Sequence, residues 1–176
     1  MISYHVLLFI VILQNTGDYT IKNIFRGFNG YIAILVCIPP ALSGLVLYFL
    51  WPLLKLDVIV FADKLAEFGI HGQLWTVFIP YYILFTPWLE EYYWRGILGS
   101  GKKFPDMSDL LFAGYHILVL FLFIKPVWVM LIFIILVFSA WIWRLIKIKF
   151  NGLLIPFISH LLADMSIIFA IYKLTF

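Results

Sequence analysis

Pro87 to Gly96, Pro-Trp-Leu-Glu-Glu-Tyr-Tyr-Trp-Arg-Gly, sets two adjacent carboxylates, Glu90 and Glu91, and a guanidinium, Arg95, inside an apolar run. On a helix Glu91 and Arg95 stand four apart on one face and can pair. Glu90 is turned about 100° away, so that pairing leaves it free for chemistry. Further on, Phe112 precedes His116 by four positions and His160 precedes Asp164 by four, again among apolar residues. A carboxylate enclosed by apolar walls can act as general base toward water. A histidine can orient that water or donate to a developing oxyanion. Two histidines with carboxylates can instead hold a metal such as zinc, which lowers the pKa of bound water. The ligands would then be Glu90, His116, His160 and Asp164. No His-Glu-x-x-His helix is present, and the two histidines come from separate segments, so both routes stay open at this point.

The background in which these groups sit is a bilayer one. The 176 residues are 65% hydrophobic, 20% aromatic and 12% charged, and mean hydropathy is +1.07. A soluble globular domain is near half apolar and a quarter charged, so that class is excluded. Charges at membrane depth cost roughly 2.5–3.5 kcal/mol each on insertion scales, so they rarely sit there without a task. The net charge of +3 includes no basic run interleaved with aromatics, which excludes a nucleic-acid partner. The lone Cys37 rules out an intrachain disulfide and a cysteine-based zinc site, and reads as packing.

The expected architecture is all-α: one polytopic transmembrane helical bundle over 1–176, with about six membrane segments and a motif-bearing core at about 74–172. Met1 to Leu13 is a short or tilted first span or, alternatively, a half-inserted helix, and Asn15 to Gly30, with Asp18, Lys22 and Arg26, a polar connection. Tyr31 to Trp51 is a full span whose Pro39-Pro40 pair should kink it, with a neighbouring helix satisfying the freed carbonyls. Pro52 to Gln73 alternates apolar and charged residues as an interfacial helix or loop does. Leu74 to Trp94 ends in the carboxylate motif, and glycines 96, 99 and 101 break the helix. Ser108 and Asp109 cap the next span, Leu110 to Ile124. Lys125-Pro126 turns into Val127 to Trp143, then Arg144, Lys147, Lys149, Asn151 and Gly152 form a loop before Leu153 to Tyr172.

Basic residues in short loops set orientation. Lys22, Arg26, Arg95, Lys102, Lys103, Arg144, Lys147 and Lys149 fall on one side, which should be cytoplasmic. Lys55, Lys64, Lys125 and Lys173 fall on the other. Glu90, His116 and His160 then lie at similar depths below the cytoplasmic surface, on three helices, with Asp164 one turn deeper than His160. Convergence of these groups in one cavity is the expectation. His5 and His71 receive no role. Trp51, Trp88, Trp94, Trp128, Trp141 and Trp143 read as an interfacial belt. The basic cluster at 144–149 reads as a topology determinant or lipid contact.

Glu90-Glu91-Tyr-Tyr-Trp-Arg95 matches Glu-Glu-x-x-x-Arg, Phe112-x-x-x-His116 matches Phe-x-x-x-His, and His160-x-x-x-Asp164 matches His-x-x-x-Asn/Asp. In this order on separate membrane helices, the motifs resemble the CPBP family of intramembrane proteases, also called the Abi or type II CAAX prenyl endopeptidase family. The resemblance covers roughly Leu74 to Asp164. It implies a glutamate-dependent membrane endopeptidase in which Glu90 activates water with His116, while His160 and Asp164 hold the oxyanion. Glu91 with Arg95 would be structural or help bind substrate, and Phe112 would wall the cavity or simply pack. Asp164 stands where the prenyl-protein proteases carry Asn, so it must be protonated, paired with His160, or a ligand. No cofactor is required by that mechanism, although zinc fits the alternative. Implied partners are membrane lipids and a peptide or lipidated-protein substrate, of prenylated or bacteriocin or pheromone type. The implied location is a bacterial plasma membrane with the site toward the cytoplasmic leaflet. Two rivals remain: a non-catalytic scaffold or immunity protein of the same fold, and a small proton-coupled transporter.

Overall fold

The computed structural model describes residues 2–15, 25–57 and 60–176. Met1, Asp18 and Lys22, assigned above to the first span and first connection, lie outside the described residues. The helices are α1 (Ile2–Gln14), α2 (Gly30–Leu54), α3 (Phe61–Glu67), α4 (Leu74–Glu90), α5 (Met107–Leu120), α6 (Pro126–Phe150) and α7 (Leu154–Thr175). Among the described residues the one extended pairing is an isolated antiparallel bridge between Lys55 and Ile124.

Among the described residues three helices, not six, are long and apolar enough to cross a membrane: α2 and α6 at 25 residues each and α7 at 22. Length sets the difference. The 13 residues of α1 and 14 of α5 reach only about 20 Å at 1.5 Å per residue, against a hydrocarbon core of about 30 Å. The 17 residues of α4 fall short as a straight α-helix, but the chain continues without a break into a π-helical segment, Glu91–Ile97. Glycine 96 therefore lies within helical chain rather than ending it. Large apolar side chains such as Ile34, Ile38, Phe49, Ile134 and Phe138 point outward along α2 and α6, as a lipid-facing surface requires.

Helix packing in lipid favours small residues that let backbones approach. The junction of α2 and α7 is built that way. A Cβ on Gly44 would lie 2.0 Å from the carbonyl oxygen of Ser166. The Ser166 hydroxyl donates to the Pro40 carbonyl at 3.0 Å, and the Gly44 N–H donates to Ser166 Oγ at 3.1 Å. Pro40 has no N–H to give the Val36 carbonyl one turn earlier. Ser159 Oγ of α7 donates to that carbonyl instead, at 3.0 Å. The expected kink-satisfying neighbour is thus α7.

One apolar core fills the end of the bundle away from the carboxylates, where Trp51, Leu54, Leu65, Trp75, Phe123, Val129 and Ile168 meet. A second, Trp94, Phe112, Ala140 and Trp143, wraps the carboxylate motif. Trp51, Trp94 and Trp143 are therefore core residues rather than a belt. The apolar stretch opening α6 continues past Trp143, so Arg144, Lys147 and Lys149 are helical rather than loop residues, and Asn151 ends the helix with φ at +49°.

Candidate active site

The π-helical segment places the motif. Its wider turn is marked by the Leu98 N–H donating five residues back to the Tyr93 carbonyl at 3.0 Å. Glu91 and Arg95 face one another across it, with Nη1 at 3.0 Å from Oε1. That contact has the distance of an ion pair but not the angle of a hydrogen bond, so Nη1 and Nη2 lack hydrogen-bond acceptors. The guanidinium is held by aromatic faces instead, 3.9 Å from the Phe112 centroid and 4.9 Å from that of Trp143.

Glu91 also accepts from His160 Nδ1 of α7 at 2.8 Å. The carboxylate beside Arg95 thereby fixes the proton on Nδ1 and turns Nε2 inward. Nε2 lies 3.8 Å from Glu90 Oε2 and 3.7 Å from Asp164 Oδ1. The imidazole stacks on Trp143 with centroids 5.0 Å apart, and Trp143 Nε1 is anchored to Ser159 Oγ at 3.0 Å. Glu90, Glu91, Arg95, His160 and Asp164 are all buried. Glu90 Oε2, Glu91 Oε2 and Asp164 Oδ2 have no hydrogen-bond partner.

His116 joins this group indirectly. Its Nδ1 hydrogen-bonds the Phe112 carbonyl one turn earlier at 2.7 Å. Its Nε2 lies 3.2 Å from the Tyr115 hydroxyl, and that hydroxyl, not His116, contacts Glu90 Oε1. Glu90 and His116, expected to act together on water, are thus linked through the Tyr115 hydroxyl. Glu90 is likewise not wholly free, since one oxygen is engaged.

The zinc alternative expects Glu90, His116, His160 and Asp164 to converge as ligands. Among the described residues no group of three such side chains is placed to hold a metal ion.

The expected opening toward the cytoplasmic leaflet is closed over. Trp94, Phe112 and Trp143 cover the group, leaving Glu90 1% and His160 3% exposed. Two grooves lie elsewhere. One of about 210 Å³ runs between α2 and α6 beside Lys149. The other, about 260 Å³, lies between α1 and α4 and reaches Leu89, the neighbour of Glu90. At the rim of that second groove His5, given no role above, is buried and bonds the Tyr81 hydroxyl through Nδ1 at 2.6 Å.

A second polar cluster sits around Arg144, which is fully buried. Its Nε lies 3.1 Å from both oxygens of Asp109. Nη2 donates to Asp109 Oδ2 and to the Phe104 carbonyl, each at 2.7 Å. Nη1 donates to the carbonyls of Ser100 and Lys102 at 3.2 and 2.5 Å. The N-cap of α5 is Asp106, with Asp109 closing the capping box, rather than Ser108 and Asp109 as expected. Burial raises the Asp106 carboxyl, but the hydroxyls of Ser100 and Ser108 and the Arg144 guanidinium outweigh it and hold the group below the ordinary carboxylate range. Arg95 and Arg144 are thus both buried in ion pairs.

Motif reasoning missed Tyr115, Trp94, Tyr4 and Ser159. Trp94 lies parallel to the Tyr115 ring, with centroids 6.1 Å apart, and donates to the Tyr4 hydroxyl at 3.1 Å. An aromatic residue among aromatics carries no sequence signal. The one available hint was that Tyr115 adjoins His116 on a helix otherwise apolar. No family model matches the chain, and no curated protein or solved structure matches it either.

Proposed function

We propose that this protein is an intramembrane endopeptidase that uses Glu90 to activate water. The observation carrying the proposal is the meeting of Glu90, His160 and Asp164, from two separate elements, in one buried group. That group leaves carboxylate oxygens without protein partners. A buried polar atom without a partner costs about 1–3 kcal/mol, so such a cluster is maintained for a use other than stability. The CPBP-like order of the three motifs supports the same reading.

In this mechanism Glu90 takes a proton from water at Oε2, and the hydroxide adds to the peptide carbonyl carbon. The carbonyl oxygen becomes an oxyanion facing His160 Nε2 and a protonated Asp164. Since Nδ1–H is committed to Glu91, an oxyanion contact requires a second proton on Nε2, opposite the Glu90 and Asp164 carboxyls. Collapse expels the amine, which takes up the proton first removed from water, so one water and one peptide give one acid and one amine. Glu91 and Arg95 position His160. The groove between α1 and α4 is the nearer approach for a lipidated or membrane-embedded peptide, and the site faces the cytoplasmic leaflet of a bacterial plasma membrane.

The test is Glu90→Gln in protein reconstituted with membrane-anchored fluorogenic peptides. Hydrolysis should fall by about 10²–10⁴-fold while the thermal midpoint stays near that of the unsubstituted protein. Undiminished turnover would remove Glu90 as the base. Enclosure of the cluster favours one competing reading, a non-catalytic scaffold, for which neither Glu90→Gln nor His116→Gln would change the biological phenotype.

A further inference from the structure

Among the polar groups the motifs do not account for, the Tyr115 hydroxyl is placed between the proposed base and its histidine. It contacts Glu90 Oε1 on one side and lies 3.2 Å from His116 Nε2 on the other. The proton count of this line is constrained. His116 Nδ1 faces a carbonyl oxygen at 2.7 Å, which can only accept, so Nδ1 carries a proton. A neutral His116 then presents a lone pair at Nε2. Tyr115 owns one hydroxyl proton, yet stands in two hydrogen bonds, each needing one. The second proton must come from a neighbour, either the Glu90 carboxyl or the His116 imidazole.

The geometry points to Tyr115 as a proton relay, a positioning residue that carries the proton collected by Glu90 to His116 Nε2. This deepens the endopeptidase reading and rests on it for the catalytic step. When Glu90 is a carboxylic acid, a half-turn of the carboxyl about its Cγ–Cδ bond brings the O–H gained from water to the Tyr115 side, where it donates to the tyrosine oxygen while Tyr115 donates to Nε2. When the proton has moved on, His116 is an imidazolium donating to Tyr115, and Tyr115 donates to the Glu90 carboxylate. One O–H bond breaks at Glu90 and one N–H bond forms at His116, while Tyr115 gives one proton and gains one. Glu90 returns to carboxylate, and His116 holds the proton destined for the leaving amine nitrogen. The line is packed so that it keeps this order. The Tyr115 ring lies between Trp94 and Tyr4, the latter with centroids 4.9 Å away, and the His116 ring rests on Phe112 at 4.7 Å. The titratable and charged groups facing the line are Tyr4 of α1, Tyr82 of α4, Glu91 and Arg95 of the π-helical segment, and His160 and Asp164 of α7.

The experiment uses the full chain in lipid nanodiscs with ¹⁵N-labelled histidine, following the His116 ring nitrogens against pH. Glu90→Gln should displace the His116 titration midpoint, because the two groups share one proton. In the Tyr115→Phe background, which keeps the ring and loses only the hydroxyl, that displacement should shrink by half or more. An equal displacement in both backgrounds overturns the relay. A second reading needs no Tyr115 variant. The Tyr115 ring ¹³Cζ signal should move in Glu90→Gln and again in His116→Gln, and indifference to either is equally fatal. With the membrane-anchored fluorogenic peptides, Tyr115→Phe should lower kcat by about 10²-fold with KM unchanged, whereas full kcat overturns the catalytic role. If the histidine signals behave as described but the unsubstituted protein cleaves no peptide, the relay stands and the endopeptidase reading falls.

Discussion

Arg95 and Arg144 are both buried to within 1% of complete exclusion from solvent, and each sits beside a carboxylate, yet they are held in opposite ways. Every nitrogen of the Arg144 guanidinium has an oxygen acceptor, from Asp109 or from the carbonyls of Ser100, Lys102 and Phe104. That network binds the chain between Ile97 and α5 onto α6, and nothing in it is left over. Around Arg95 the nitrogens meet ring faces, and Glu90, Glu91 and Asp164 each keep an oxygen without a partner. A completed network stabilises a loop. An incomplete one retains donors and acceptors that a substrate can use, at a cost in stability.

Breaking the completed network should have the largest effect. Arg144→Met strands Asp109 in the interior and should lower stability by about 3–5 kcal/mol, read from thermal unfolding in detergent. Arg95→Met sharpens the contrast, because the methionine can keep the packing against Phe112 and Trp143. It should cost clearly less stability than Arg144→Met while lowering peptide hydrolysis at least tenfold through a misplaced His160. Equal stability losses at the two arginines would erase the distinction. Gly44→Ala probes the scaffold under both regions. Its methyl group would press on the Ser166 carbonyl, so a loss of about 1–3 kcal/mol is expected.

The smallest effect concerns pH at the loop. A carboxyl held below its ordinary range contributes stability that is fully present above about pH 4, the unfolded value, and is lost as pH falls through the folded one. Asp106→Asn keeps an N-cap oxygen. It should therefore change stability by under about 1 kcal/mol at pH 7 and flatten the acid limb of a stability profile below about pH 4. A profile as steep as that of the parent would assign the acid limb to another group.

How much of this was legible beforehand differs between the two regions. Residues 90, 91, 95, 160 and 164 could be grouped because charge is rare in apolar helices and the four-residue spacing puts partners on one face. The Arg144 network was invisible for the converse reason. A basic residue closing an apolar run looks like a loop charge, and its acceptors are mostly backbone carbonyls some forty residues away, which have no sequence signature. Tyr115 was hidden among other aromatics. Span count failed because composition reports how apolar a stretch is but not where its helix ends. The α5 helix stops at Leu120, and the π-helical turn after Glu90 follows no simple periodicity.

The splice between α2 and α7 constrains how the closed group could ever admit a peptide. Ser159, whose hydroxyl plugs the gap left by Pro40, is the residue immediately before His160. Seven positions on, Ser166 is pinned against Gly44. Sliding or rotating α7 would tear both fastenings at once, so α2 and α7 travel as a single plank that keeps His160 aimed. On the proposed reading a peptide would enter from the opposite wall, between α1 and α4, where α1 is fastened by the His5–Tyr81 contact and by Trp94 donating to Tyr4.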